Sequence, residues 1–262
     1  MNARKLDSQS PLNPAPIKSR IISRIITAAV QLWLRSQVEH IDELQVTIEG
    51  GDRQILSGYI PQVSLAAQNA VYRGLHLSKI HLIGENICIN LGQVIKGQPL
   101  RLLEPIPVDG ELCLREIDLN ASLQAPLLVG ALIDVLLTLL PSEVLFSSSP
   151  EPASRKPINS AHVKLQESQI TLETDQLTLR TTLVSEEGNL LPIVIRTGLQ
   201  LVSRHVLQLA HPQWFISSQA EHGLPLADLA GFCLDLGPEV SLEELKLERG
   251  QISCRGHLTV FP

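Results

Sequence analysis

Hydrophobic residues follow two different spacings along the chain. Between Leu44 and Leu91, and again in 161–184, 191–210 and 244–261, apolar and polar residues alternate, which is the period of a strand buried on one face. In 18–38 and 126–140 the apolar residues recur every three or four positions, as they do on one face of a helix. The pattern therefore predicts two helices and about ten strands.

The alternating block near the N-terminus is divided by polar and glycine-containing segments. It predicts five short strands, at 44–50, 53–60, 62–72, 74–84 and 85–91, with turns that include Gly50–Asp52 and Gly84–Asn86. Strands joined by short turns usually pair with each other, so an antiparallel meander is the simplest arrangement. Residues 98–115 predict a further pair of strands, with Pro105 and Pro107 at strand ends or on an edge.

The longest apolar segment, 116–141, predicts a buried helix. Asp118 is placed to cap a helix, and Pro126 fits the first position of a longer helix that runs to Leu140. Apolar residues surround this helix on nearly all sides, including Leu128, Leu132 and Leu136 on one face. It would span roughly 22 Å, less than the ~30 Å hydrocarbon layer of a bilayer. Asp134 near its middle would also cost about 2.5–3.5 kcal/mol there, so we expect burial in protein.

The N-terminal helix, 18–38, combines a basic stripe with apolar positions. The stripe contains Arg20, Arg24 and Arg35, and the apolar positions include Ile22, Ile26 and Trp33. One interpretation is a core helix whose arginines reach outward to water. The other is a helix that lies on an anionic lipid surface. The sequence leaves both interpretations open.

Composition and charge narrow the classes of partner. Aromatic residues make up 3% of the chain, so the interior is aliphatic and offers few stacking surfaces for bases. Residues 1–38 carry six basic side chains and one acidic side chain, whereas the whole chain has a net charge of −6. The acidic body argues against nucleic acid, and the basic N-terminal part could contact an anionic membrane surface or an acidic partner.

The remaining segments predict the domain organisation and compartment. Residues 1–16 are polar and proline-rich, which predicts a flexible arm and no secretory signal. A run of Ser, Pro and charge at 147–160 predicts a flexible loop within a single domain, 17–262. The four cysteines lie far apart in apolar stretches, as buried free thiols do, so a cytoplasmic location is expected.

The sequence contains no set of residues typical of catalysis. Gly-x-Ser-x-Gly is absent, and the glycine spacing at 92–97 is followed by Gln98 and Pro99 where a phosphate loop needs Lys and Ser or Thr. His76 and His81 would point to opposite faces of one strand, so they could not share a metal. We therefore expect a protein that is not an enzyme and has no metal or cofactor.

Several segments resemble the cyanobacterial branch of the LmeA-like phospholipid-binding proteins. The resemblance rests on 32–61, 89–114, 117–128 and 247–262, above all on Asp118-Leu-Asn120 followed by Pro126-Leu-Leu128. It runs from about Leu32 to Pro262 and consists of structural motifs. It implies an α+β fold related in shape to tubular lipid-binding domains, in which a strongly curved antiparallel sheet wraps two long helices.

The same resemblance implies that phospholipid is held in an apolar interior. Ile22, Ile26, Trp33, Leu128, Leu132 and Leu136 are the lipid-binding candidates, and Arg20, Arg24 and Arg35 are the candidates for contact with a membrane surface. The expected function is binding, and possible transfer, of phospholipid or another acyl-chain lipid by a peripheral membrane protein. The alternative is a scaffold or assembly factor that binds a protein partner through the same apolar surfaces.

Overall fold

The computed structural model describes residues 19–139, 163–184, 188–215, 223–225 and 232–262. The predicted arm at 1–16 and the predicted loop at 147–160 lie outside these ranges. The helices are α1 (Ser19–Gln37), α2 (Asp52–Leu56), α3 (Leu91–Val94), α4 (Glu116–Ser122) and α5 (Pro126–Leu139). The strands of the first sheet are β1 (Glu43–Glu49), β2 (Tyr59–Tyr72), β3 (Leu75–Cys88), β4 (Ile106–Arg115), β11 (Val240–Glu248) and β12 (Gln251–Val260). Those of the second sheet are β5 (Lys164–Glu173), β6 (Gln176–Val184), β7 (Leu190–Ser203), β8 (Val206–Phe215), β9 (Leu224–Pro225) and β10 (Cys233–Asp235).

Both sheets are antiparallel and are built mainly from consecutive strands. The first has the order β1-β2-β3-β4-β12-β11, and the second β10-β8-β7-β6-β5 with β9 paired to β8. The predicted meander at 44–91 is therefore confirmed for β1 to β3, and β4, the one strand that forms where a pair was expected at 98–115, continues it. The chain then forms the second sheet and returns with the β11–β12 hairpin, because β12 pairs with β4 along its whole length. One of the sheets curls into a half-barrel.

Each of the two longest helices packs against a different hydrophobic cluster. The α1 cluster joins Ile26 of α1 to buried residues of the first sheet and its loops, among them Ile55 and Ile60. The α5 cluster joins Leu136 of α5 to buried residues of the second sheet, among them Ile193. The expectation that one sheet wraps both helices is wrong, because the strands after α5 form a second sheet with its own apolar face. Strands make up most of the described chain.

Two local predictions in the first sheet are also wrong. The segment 53–60 was expected to be a strand, but α2 forms there, since one helical turn brings Ile55 fully into the α1 cluster. Gly84–Asn86 was expected to be a turn, but β3 continues through it. Asn86 adopts a positive φ of 55°, and β3 pairs with β2 on both sides of this residue, through Glu85 and Ile87.

The α5 helix begins at Pro126, as predicted, but its surroundings differ from the prediction. Leu136 is fully buried, whereas Gly130, Ala131 and Asp134 are exposed. The helix therefore presents one side to solvent, although the sequence pattern is apolar on almost every side. No helix within the described ranges is both long and apolar enough to cross a membrane.

Helix α4 joins the two sheets through polar side chains. Asp118 was predicted to be a helix cap, but α4 already begins at Glu116, and the Asp118 carboxylate instead accepts hydrogen bonds from Ser78 Oγ of β3 (2.6 Å) and Arg115 Nε (2.8 Å). Asn120 faces the second sheet. Its Nδ2 donates to the carbonyl of Ile170 in β5 (2.8 Å), and its Oδ1 accepts from the Ile170 N–H (2.7 Å). The Asp-Leu-Asn motif therefore fixes β3 and β5 to one helix.

Candidate functional site

Two neighbouring rows of apolar residues, which include two glycines, cross all six strands of the first sheet on one face. We call these rows the apolar strip. They consist of Leu44, Ala67, Ile80, Leu112, Cys254 and Leu245, and of Val46, Leu65, Leu82, Gly110, Gly256 and Leu242. Paired residues of adjacent strands point to the same face, and neighbours along a strand point to opposite faces. The alternating sequence pattern thus becomes one continuous apolar surface.

The opposite face of the same strands is polar. The residues that flank the strip in sequence form rows of mostly charged and polar side chains, which are Glu43, Gln68, Lys79, Cys113, Ser253 and Lys246, and Gln45, Ala66, His81, Glu111, Arg255 and Glu244. Ion pairs link several of them, such as Lys246 Nζ to Glu244 Oε1 (2.5 Å). This polar face can therefore remain in water while the strip is directed inward.

Strand β12 shows how the strip lies between the two hydrophobic clusters. Ile252, near the start of the strand, packs against the α5 cluster. Leu258 and Val260, near its end, pack against the α1 cluster. Cys254 and Gly256 lie between these contacts. The strip thus connects two buried clusters at opposite ends of one sheet face.

Other elements border the strip on its two remaining sides. Along β1, helix α1 lies over the same face, because Val30 and Ile26 pack with Ile48 and Val63 in the α1 cluster. Along the other edge, β11 approaches the second sheet, and the Leu242 N–H donates to the carbonyl of Arg204 beside β7 (2.5 Å). A helix and a second sheet therefore border an apolar surface.

The strip itself is only partly covered. Val46, Ala67 and Gly256 are buried, whereas the remaining residues of the strip are half-buried, including Leu112 and Leu245. A core position in a close-packed domain usually excludes water completely. Most residues of the strip therefore retain some solvent-accessible surface in the middle of the fold.

Cys254 and Gly256 lie at the centre of the strip, where one is a half-buried thiol and the other is required by a neighbouring bulge. Burial raises the pKa of the Cys254 thiol above its usual value, so this group stays protonated and apolar. Gly256 lies opposite the bulge of β11 between Leu242 and Glu244, and a Cβ at this position would approach the Leu242 Cα to 2.7 Å. The bulge therefore requires glycine on the neighbouring strand.

The α5 residues that the sequence singled out lie together. Leu136 is fully buried in the α5 cluster, and Leu128 and Leu132 are half-buried against it. Three cavities of about 570, 370 and 640 Å³ are described in the structure, and none of them is lined by these leucines. The first two are lined mainly by residues of the polar face of the first sheet, the first also by Ala67, Ile80, Leu112 and Cys254 of the strip, and the third lies at the junction with β5. A pocket along α5 stays a prediction.

Of the predicted α1 residues, Ile26 is separated from the α5 residues by the strip. Ile26 is buried in the α1 cluster, and Trp33 is half-buried. Arg35 is exposed. For Arg20, Ile22 and Arg24, the structure describes the helical backbone alone. Ile26 and the α5 leucines therefore lie at different ends of one apolar face.

A histidine links three strands on the polar face. His257 of β12 contacts Asp109 of β4 through Nδ1 and Glu243 of β11 through Nε2, the latter at 3.0 Å. These hydrogen bonds, Glu243 first and then Asp109, raise the pKa of His257 above its usual value. Within the described ranges, no group of three or more His, Cys, Asp or Glu side chains is arranged to hold a metal ion.

Sequence reasoning did not identify the residues of the strip as candidates. The alternation in β4 and β12 already placed Leu112 and Cys254 on the apolar side of their strands. However, β4 and β12 are separated by more than a hundred residues in the sequence, and nothing in either segment indicates that they pair. The strip could be recognised only when both strands were in register.

Comparison with known proteins identifies the class. The profile of a family described as LmeA-like phospholipid-binding matches residues 17–257, which is most of the chain. The chain therefore belongs to the LmeA-like phospholipid-binding family. No curated protein matches it, and no solved structure matches it.

Proposed function

We propose that the protein binds a phospholipid with its acyl chains against the apolar strip. The observation that carries the proposal is the half-buried state of aliphatic residues such as Leu65, Leu112 and Leu245, in a member of a phospholipid-binding family. A flexible acyl chain needs apolar contact more than fixed polar partners. A surface of branched aliphatic side chains without aromatic rings supplies this contact.

Ile26 and the three α5 leucines fit this arrangement as borders of the strip. Leu128, Leu132 and Leu136 lie in the α5 cluster, which Ile252 joins to one end of the strip. Ile26 lies in the α1 cluster at the other end. We propose that the acyl chains lie between the two clusters, so that the helices limit how far they extend.

The experiment compares adjacent residues of β4 that point to opposite faces. Leu112→Trp fills the strip, whereas Glu111→Trp places the same side chain on the polar face. Each protein is purified without detergent and extracted with organic solvent, and its phospholipid is measured as phosphorus per protein. We expect the wild type and Glu111→Trp to retain phospholipid and Leu112→Trp to lose most of it.

The same measurement separates lipid binding from the scaffold alternative. A folded wild-type protein that yields no phospholipid, and acquires none from vesicles, would contradict the proposal and favour a protein partner. Equal lipid content in both β4 variants would place the acyl chains somewhere other than the strip. The matching helix variants, Leu132→Trp and the exposed Ala131→Trp, then test the α5 border.

We also propose that α1 attaches the protein to an anionic membrane surface through Arg20, Arg24 and Arg35. Each basic side chain near such a surface contributes up to about 1 kcal/mol. Replacing all three with Gln should weaken binding to vesicles that contain phosphatidylglycerol, and the loss should shrink at high salt. Unchanged binding would show that these arginines serve only solubility.

A further inference from the structure

Four large apolar side chains project into solvent from the end of the first sheet that carries the α1 cluster. They are Leu56, Ile95, Leu103 and Phe261, with exposed fractions of 54%, 73%, 58% and 58%. Single exposed apolar residues are common on protein surfaces, whereas a group at one end of a fold usually marks an interaction site. We call the segments that carry them, 52–58, 91–104 and Phe261, the loop tip.

Backbone hydrogen bonds hold the segments of the loop tip side by side. The Ile89 N–H donates to the carbonyl of Gly58 (2.8 Å), which joins the α2 segment to the end of β3. The Leu103 N–H donates to the carbonyl of Cys88 (2.8 Å), which brings the third segment alongside. Phe261 follows Val260, the last residue of β12 paired with β4. The four side chains therefore come from neighbouring backbone segments.

The interior beneath the loop tip is already filled. Ile55 and Leu91 are buried in the α1 cluster, and Leu102 packs against it, although each lies next to or near an exposed apolar residue. Asn90 fixes the third segment, since its Nδ2 donates to the carbonyl of Pro99 (2.9 Å). The exposed side chains thus cannot turn inward without displacing residues of the core.

Basic side chains accompany the apolar ones. Arg53, Lys96 and Arg101 are exposed, and within the described ranges none of them forms an ion pair, whereas other basic residues of the first sheet pair with carboxylates. The loop tip also contains Asp52 and Glu104, so it has an excess of one positive charge in a chain of net charge −6. Apolar side chains surrounded by unpaired cations match the boundary between acyl chains and anionic headgroups.

Helix α1 extends toward the same end of the molecule. Its C-terminal end leads to His40, which bridges to Val71 at the opposite end of the first sheet. Ile26 near its beginning lies in the α1 cluster, and the helix contacts α2. The beginning of α1 therefore lies on the side of the loop tip.

We propose that the loop tip is a membrane-docking surface that inserts its four apolar side chains among anionic phospholipids. The docked protein would have the α1 cluster at the bilayer and the apolar strip directly behind it. The docking itself does not require lipid on the strip; its role as a lipid entrance rests on the proposed function. A protein partner or a second copy of the chain would be a different occupant.

The experiment measures co-flotation of the full chain with phosphatidylcholine vesicles, with and without phosphatidylglycerol. Ile95→Ser combined with Leu103→Ser should weaken binding to both kinds of vesicle by about tenfold or more, because two inserted side chains are lost. Replacing Arg53, Lys96 and Arg101 with Gln should weaken binding only to the anionic vesicles. The matched control is Leu190→Ser with Leu234→Ser, two exposed leucines of the second sheet.

A second measurement uses a variant with a larger apolar side chain at the loop tip, so its result does not depend on a loss of vesicle binding. Ile95→Trp should show a blue-shifted emission when vesicles are added, after the wild-type signal of Trp33 and Trp214 is subtracted. Leu234→Trp should show none. The proposal is overturned if the wild type does not float with vesicles, if the tip and control variants bind equally, or if the Ile95→Trp emission stays constant. Loss of self-association in the tip variants without vesicle binding would assign the surface to a second copy instead.

Lipid extraction separates this inference from the proposed function. The tip variants, expressed and purified like the wild type, should float poorly with vesicles and still contain phospholipid. If the wild type floats with vesicles by means of the loop tip but contains no phospholipid, the docking proposal is supported and the proposal that the strip binds lipid is contradicted.

Discussion

The contact between α4 and the second sheet can be tested by replacing Asn120 with a residue of nearly the same shape. The Asn120 Nδ2 donates to the carbonyls of Glu116 and Ile170, both at 2.8 Å, and its Oδ1 accepts from the Ile170 N–H. Asn120→Asp retains the acceptor, removes both donors and places a second oxygen against two carbonyl oxygens. We therefore expect loss of stability with almost no change of shape.

The magnitude follows from the Ile170 carbonyl, which loses its donor, because the Glu116 carbonyl keeps its backbone hydrogen bond within α4. A buried polar group left without a partner costs about 1–3 kcal/mol, and we expect a loss of stability of this size. For a chain of this length, each kcal/mol lowers the Tm by about 2–4 °C, so the decrease in Tm should be roughly 2–12 °C.

The assay is thermal unfolding followed by circular dichroism, with Asn86→Asp as the control. At Asn86 the hydrogen bond comes from the Tyr59 hydroxyl to Oδ1 (2.6 Å), and aspartate can accept it equally well. Protonation of the new carboxyl at position 120 restores one donor, so the deficit should decrease as the pH falls. Equal Tm values for the two variants would show that Asn120 does not hold the sheets together.

Three further predictions concern the strip and the polar face. Cys254 should react with iodoacetamide more slowly than the exposed Cys233, because burial raises the pKa of the Cys254 thiol. Removal of bound lipid should speed the reaction of Cys254, and mass spectrometry of the labelled peptides measures both rates. Because folding raises the pKa of His257, protonated His257 stabilises the fold fully below the unfolded-state pKa, and this stabilisation is lost as the pH rises through the folded-state pKa. The difference in unfolding free energy between wild type and His257→Gln, measured by urea unfolding, should therefore become smaller as the pH rises. Gly256→Ala should prevent soluble expression, because its Cβ would meet the backbone of β11, whereas Gly92→Ala, with no atom within 4 Å of the new Cβ, should fold normally.

The periodicity of the sequence predicted the elements better than their arrangement. The spacing at 18–38 and the position of Pro126 predicted α1 and the start of α5, and alternation predicted strands such as β5, β6 and β12. Alternation also predicted a strand where α2 forms. Five residues are too few for their spacing to distinguish one helical turn from a strand, and here the tertiary packing of Ile55 decides which of the two forms. Tertiary contacts also placed α1 and α5 on two different sheets.

The candidate site was predicted in part. The placement of Leu128, Leu132 and Leu136 on one helix face is confirmed, because all three pack in or against the α5 cluster. Their contact with lipid stays a prediction, as does the single domain. The half-buried state of Leu112 could not be predicted, because it depends on which distant elements approach the strip and how closely.

The pairing of β12 with β4 has a consequence for the order in which the protein can fold. Strands β1 to β4 are neighbours in sequence and can pair once residue 115 has left the ribosome, but β4 then presents an open edge until the last hairpin arrives. The whole second sheet is made in the interval. During synthesis the nascent first sheet therefore exposes both an unpaired strand edge and the part of the apolar strip that β1 to β4 carry. These are the features that chaperones bind and that promote aggregation. A chain cut after Asp235 would keep this vulnerable intermediate permanently.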